Sequence, residues 1–251
     1  MDLTCTAYLI VCPLVFIGSF MDAIAGGGGL ITLPAYVLAG VPMHYAIGTN
    51  KLSSFIGVIF STFRYWRSRL VDLGFIFPSI VASLAGSAIG AKLALMLDEK
   101  YLKYMLMIVL PLAAFAVLRP KAFDDSKSGG MPRRKGMILA AAISFVVGGY
   151  DGFYGPGAGT FFMLLYVAIV KMDIRNAAGS AKMTNMASNV AAMTMFLNSG
   201  KVHLALGLTA AVFSIAGHWL GAGLAIRKGS AIVRPVVLVV LVLLMIKIAT
   251  E

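Results

Sequence analysis

Charge is scarce in this chain. Only 12% of its 251 residues are charged, and 10 acidic residues stand against 21 lysines and arginines. A soluble domain carries about 25% charge, so with 60% hydrophobic residues a water-soluble fold is excluded. Cysteine is nearly absent. Cys5 and Cys12 share one apolar segment, too few and too local for a disulfide framework or a metal cluster. The excess of basic residues taken alone suggests nucleic acid, but they fall in short connections between apolar runs and not on an aromatic-interleaved stripe. No nucleic-acid partner is expected. The start, Met1-Asp2-Leu3-Thr4, lacks a basic n-region, and no small-residue cleavage site follows. The first apolar segment is therefore expected to be retained.

What is present is apolar sequence in runs long enough to cross a bilayer, which takes about 20 helical residues. The reading is an all-α, multi-pass integral membrane protein with about 8 to 10 transmembrane segments. The runs are organised as a repeat. A shift of 129 residues lays DAIAGGGG, from Asp22, on DGFYGPGA, from Asp151. A shift of 131 lays GTNKLSS (Gly48 to Ser54) on GSAKMTN (Gly179 to Asn185), and Gly86 and Gly90 on Gly217 and Gly221. The expected division is a first transmembrane repeat over 1–118, a polar cytoplasmic linker over 119–135 and a second repeat over 136–251.

Each repeat reads as a first helix (5–25; 136–154), a short apolar segment (30–40; 159–170) and a longer one (45–63; 176–197). Two clean helices then follow (72–97 and 101–118; 203–226 and 235–249). The short segments cover only about 16 to 18 Å, half the hydrocarbon thickness. Glycine clusters beside half-length helices are the sign of broken helices, which occur where the backbone is buried or lines a wet cavity. The linker carries six basic residues, which places it inside. In the first repeat the basic loop is Arg64, Arg67 and Arg69; in the second the bias moves to Arg227, Lys228 and Arg234, leaving Lys201 in the matched loop. That swap predicts inverted repeats with five crossings each. Two parallel four-helix halves with re-entrant hairpins are the alternative.

The glycine loops expose backbone N–H groups, and a half-helix start adds the positive end of its dipole. Anions are the natural ligand. Neither run is a nucleotide motif, because GGGGLI lacks GK[ST] and GPGAGT lacks GxGxxG spacing. No cofactor is expected. No Ser/His/Asp or metal-ligand constellation emerges, which favours transport over catalysis. Gly26, Gly27, Gly28 and Gly29, with Gly155, Gly157 and Gly159, are the candidate loop positions for substrate. Lys51 and Lys182 lie at matched places in long apolar stretches, where a charge costs about 2.5 to 3.5 kcal/mol and calls for a cavity or a partner. They are candidates for anion binding, or for a buried ion pair with Asp22 or Asp151. Thr49, Asn50, Ser53 and Ser54 in one repeat, and Ser180, Thr184 and Asn185 in the other, are placed to complete hydrogen bonds. Asp22 and Asp151 either neutralise a lysine in the empty site or take up a coupling proton or sodium ion. His44, His203 and His218 have no matched partners and read as loop or packing histidines. Gly86, Gly90, Gly217 and Gly221 read as helix-packing glycines.

GGGGLITLP with GTNKLSS, and GPGAGT with GSAKMTN, resemble the TauE/SafE family of sulfite exporters, also called toluene sulfonate uptake permeases. The resemblance covers nearly the whole chain. The second copy departs from the pattern at Pro156, Ala158 and Ala181. Membership implies a secondary transporter for sulfur-containing oxyanions or organosulfonates, working by alternating access in a bacterial plasma membrane. Its partners would be a small anionic substrate, membrane lipid and a coupling ion. An anion channel or a non-transporting membrane interaction protein is the alternative.

Overall fold

The computed structural model describes residues 5–98, 100–101 and 131–228. Among these residues all regular structure is helical. The first repeat contributes α1 (Cys5–Ala25), α2 (Gly29–Leu38), α3 (Met43–Arg67) and α4 (Leu73–Met96). The second contributes α5 (Arg133–Phe153), α6 (Ala158–Leu165, prolonged by a π-helical turn Tyr166–Val170), α7 (Ile174–Asn198) and α8 (Leu204–Lys228). The helices expected over 101–118 and 235–249, and most of the linker, lie outside the described residues.

Helix boundaries follow local chemistry. Asp72 caps α4 by accepting from the Phe75 N–H at 3.0 Å, and Asp173 caps α7 through the N–H groups of Arg175 and Asn176. An N-cap carboxylate satisfies donors that have no partner inside the helix. That cap starts α7 at Ile174, two residues before the expected 176. Similarly α5 begins at Arg133, ahead of the expected 136, with Pro132 in its N-cap position.

Four helices, α1, α4, α5 and α8, are long and apolar enough to cross a membrane. They lie outside the other two long helices, and large side chains such as Leu9, Phe77, Val146 and Val212 are exposed on them, as suits contact with lipid. Helices α3 and α7 are each 25 residues long but carry the buried polar residues. Short helices α2 and α6 sit beside them.

The packing repeats across the two halves. α4 lies parallel to α5, and α1 parallel to α8, through the packing glycines. A Cβ at Gly86 or Gly90 would collide with the carbonyls of Phe145 or Gly149, and one at Gly217 or Gly221 with those of Phe16 or Phe20. Two helices can approach so closely only where no side chain intervenes. α3 and α7 cross in opposite directions: Gly48 near the start of α3 packs on the Lys201 carbonyl beyond the end of α7, and Gly179 packs on that of Leu70. The two glycine loops meet at the centre. Thr160 N–H donates to the Gly26 carbonyl at 3.2 Å, and its hydroxyl to the Ala25 carbonyl at 2.7 Å.

Candidate functional site

The two lysines of α3 and α7 reach across to the carboxylates of the opposite repeat. Lys51 Nζ donates to Asp151 Oδ1 at 2.7 Å, and Lys182 Nζ to Asp22 Oδ2 at 2.6 Å. The side chains of Lys51, Asp151 and Lys182 are 3% exposed, that of Asp22 15%. Each pair is therefore the buried ion pair the sequence left open as one reading, with the partners exchanged between repeats. A pair this deep leaves an uncompensated charge when one member is removed.

The Lys51–Asp151 pair is the drier. Asp151 also accepts from Ser188 Oγ at 2.5 Å. Gly155 wraps over it with φ +100°, and a Cβ there would sit 2.9 Å from Lys51 Nζ and 3.0 Å from Asp151 Oδ1. Both the backbone conformation and the close approach require glycine. The Lys182–Asp22 pair is more elaborate. Asp22 Oδ1 accepts from the Gly28 N–H at 3.2 Å, Lys182 Nζ also donates to the Asp22 carbonyl, and His218 Nε2 lies 3.2 Å from Asp22 Oδ2.

Between the pairs lies a polar cavity of about 30 Å³, room for one or two water molecules. Asp22, Lys51 and Asp151 line it, as do Gly26, Gly28, Gly29, Gly155 and Gly159 of the loops and Asn50, Ser54 and Asn185 of the long helices. The Thr32 hydroxyl, in the wall of the same cavity, is buried without a protein partner. A buried hydroxyl left without a partner costs free energy until water or a ligand meets it.

Other expected positions lie behind this surface. Lys182 is outside the lining and backs Asp22. Ser53 and Thr184 hold the short helices, bonding to Tyr36 OH at 2.8 Å and Tyr166 OH at 3.3 Å. Thr49 Oγ1 accepts from the His203 N–H. Gly27 offers its carbonyl to Leu30 N–H, and Gly157 is the left-handed N-cap of α6. Ser180 lines a separate cavity with Arg69 and Lys171. Among the described residues, no cluster of three or more His, Cys, Asp or Glu is arranged to hold a metal ion.

His218 corrects an expectation. It is no loop or packing histidine: it is 1% exposed and contacts a carboxylate. Ser19, Thr32 and Asn189 also line the cavity without having been singled out. His218 occupies the place that Ser87 holds at a shift of 131 residues, so repeat comparison would have flagged a non-equivalence there.

Residues 11–248 match the Sulfite exporter TauE/SafE family. The chain belongs to that family. It is 34% identical over 240 residues to a "Probable membrane transporter protein" of Haemophilus influenzae, covering 95% of this chain and 93% of that protein. It is also 33% identical over 225 residues to the "Probable membrane transporter protein YfcA" of Escherichia coli, covering 89% and 82%. No solved structure matches. As a TauE/SafE protein the chain is a multi-pass membrane transporter, and part of each glycine loop and of each lysine motif lines one cavity.

Proposed function

We propose that this TauE/SafE protein moves sulfur-containing oxyanions or organosulfonates across the bacterial plasma membrane by alternating access, with the cavity between the two ion pairs as the substrate site. One observation carries the reading: two lysine–carboxylate pairs exchanged between the repeats flank a buried polar cavity walled by glycine backbone, with Lys51 in its lining and Lys182 behind Asp22. Lysine supplies a compact charge with three donors, and the water-poor setting strengthens its attraction for an oxyanion. Asp151 and Asp22 keep the lysines compensated while no anion is bound. An incoming oxyanion then competes with a carboxylate for the ammonium. Since the cavity admits only a water or two, a sulfonate head group enters only after the repeats separate on one side, which is the opening step of alternating access.

The repeats, taken as 1–118 and 136–251 about the 119–135 linker, are inverted about an axis in the membrane plane in this reading. The opposed directions of α3 and α7 support it. Asp22 and Asp151 are the candidate positions for the coupled proton or sodium ion.

The test is binding of sulfite, thiosulfate, sulfoacetate and taurine, against carboxylate controls, to purified protein carrying Lys51→Met or Lys182→Met. Each substitution keeps length and removes charge. Affinity for the ligand bound should fall by at least about 1.5 kcal/mol, the low end for a charged hydrogen bond. Folded variants at both positions that bind as tightly as the parent would sink the assignment. Flux without ion coupling in reconstituted vesicles would favour the channel.

A further inference from the structure

The ring of His218 is held between two acceptors. Nδ1 lies 3.0 Å from the carbonyl oxygen of Ser214, and Nε2 lies 3.2 Å from Asp22 Oδ2. A carbonyl oxygen only accepts, and so does a carboxylate ionised opposite Lys182. Neutral imidazole has a single N–H, so one tautomer leaves Nε2 bare against Asp22 and the other leaves Nδ1 with the Ser214 hydroxyl as its donor. Only the imidazolium donates on both sides. The Ser214 hydroxyl stands farther off, 3.3 Å from Nδ1, and is shared with Ser19 Oγ at 2.8 Å.

Every packed element contributes to this setting. α1 supplies Asp22 and Ser19, α7 supplies Lys182, and α8 supplies Ser214. α3 faces the ring with Gly57, where a Cβ would lie 2.7 Å from Nδ1. The nearby charge on α3, Arg64, is turned to the Trp219 carbonyl at 2.6 Å. Lys51 and Asp151 stand across the cavity. The Asp151 pair has no such device: Ser188 stands in the place of Gly57, and Ser87 in that of His218, at the shift of 131.

Protonated His218 gives three cationic groups, with Lys51 and Lys182, against two carboxylates. The site is then one positive charge in excess. A monovalent anion brings it to neutrality, whereas the same anion beside neutral imidazole would bury a net negative charge, which is costly. We propose that His218 is the proton-coupling residue: each monovalent oxyanion is carried with one proton on its imidazole, and the Nε2 proton passes to water when the anion leaves. The inference rests on the transport reading above and identifies its coupling ion as a proton held beside Asp22.

Two measurements test it on the full chain. The first is nitrogen NMR of histidine-labelled protein between pH 5.5 and 8.5, with His218→Gln assigning the signal. Both His218 ring nitrogens should be protonated in the parent once isethionate is bound, and not in Asp22→Asn. A His218 that stays neutral with isethionate bound overturns the proton site, whereas absence of binding is read separately by calorimetry. The second is calorimetry with isethionate, a sulfonate monovalent over this whole range, in two buffers of different ionisation enthalpy. The parent should take up about one proton per anion where the imidazole is free of its proton, its affinity falling about tenfold per pH unit there. His218→Gln, or His218→Asn where Gln does not fold, should bind without proton uptake and without that pH dependence. Isethionate binding to the parent with no proton uptake, or with uptake equal in the variant, overturns the proton site alone. A folded parent that binds no sulfur oxyanion overturns the transport reading instead.

Discussion

Asp22 and Asp151 occupy equivalent places in the two repeats, each paired with a lysine of the other, yet their companions differ. Asp151 is closed in by Ser188 and the Gly155 backbone, while Asp22 is 15% exposed and shares its carboxylate between Lys182 and His218. The same ion pair thus serves two environments, one sealed and one partly open with a histidine beside it. Duplication supplied the pair, and substitution at two small positions, Gly57 and His218, made the halves unequal. The helix ends repeat the lesson. Arg69 and Lys171 adopt left-handed backbone (φ 57° and 64°) where the matched positions, Gly200 and Gly40, are glycine. Both basic residues line one cavity of about 350 Å³.

The sharpest way to test the relation of the repeats is all-or-nothing. Single cysteines at Arg67 and Lys201 should react with an impermeant probe from opposite sides of the membrane. Same-side labelling breaks the inverted arrangement and favours parallel halves.

The largest energetic contrast lies between the two ion pairs. Lys51→Met abandons Asp151 in a sealed site and should cost about 3 to 5 kcal/mol, the range for breaking a buried pair. Lys182→Met should cost less, because Asp22 keeps His218 and some water. Thermal unfolding in one detergent ranks them, and equal losses would mean the two sites are not different in kind. Lys51→Met combined with Asp151→Leu should recover most of the stability but not anion binding.

Glycine positions give the next contrast. Gly155→Ala combines a left-handed backbone with crowding of the ion pair and should cost about 2 to 4 kcal/mol. Gly40→Ala, at φ +81° with nothing within 4 Å of its Cβ, should cost only about 1 kcal/mol of backbone strain. Similar melting temperatures for the two would remove the steric part of the explanation.

A smaller effect isolates the exchanged pair of residues. Gly57→Ser should destabilise the parent by about 1 to 2 kcal/mol by crowding His218 and Ser214. In a His218→Ser background, which copies Ser87 of the first repeat, most of that loss should vanish, since contacting sites are coupled by about 0.5 to 3 kcal/mol. Additive losses would show that Gly57 has no part in making room for the ring.

The smallest change expected is a gain. Arg69→Gly and Lys171→Gly relieve left-handed strain and should each stabilise by up to about 1 kcal/mol. Unchanged or lower melting temperatures would mean that the side chains hold the helix ends together.

Much was legible in the chain because it depends on local pattern. Scarce charge and long apolar runs establish a membrane protein, since a bilayer tolerates few unpaired charges. Helix limits came within a few residues, the largest gap being at the end of α3, which runs on to Arg67 past the expected 63; Asp173 and Pro132 start α7 and α5 early. The repeat brought Asp22, Asp151, Lys51 and Lys182 forward as a group, because duplicated charges in apolar sequence need a shared reason. What the chain could not disclose is which carboxylate meets which lysine. Lys51 pairs with Asp151 and not with the nearer-in-sequence Asp22 because α3 packs across α7, a contact between residues a hundred positions apart. His218 stayed hidden for the same reason: its partner is 196 positions away, and nothing beside it in the chain marks it as more than a packed ring. Hydrophobic pattern and repeat length act through neighbours along the sequence, while the charge balance of the cavity is set by groups that only packing brings within hydrogen-bond reach.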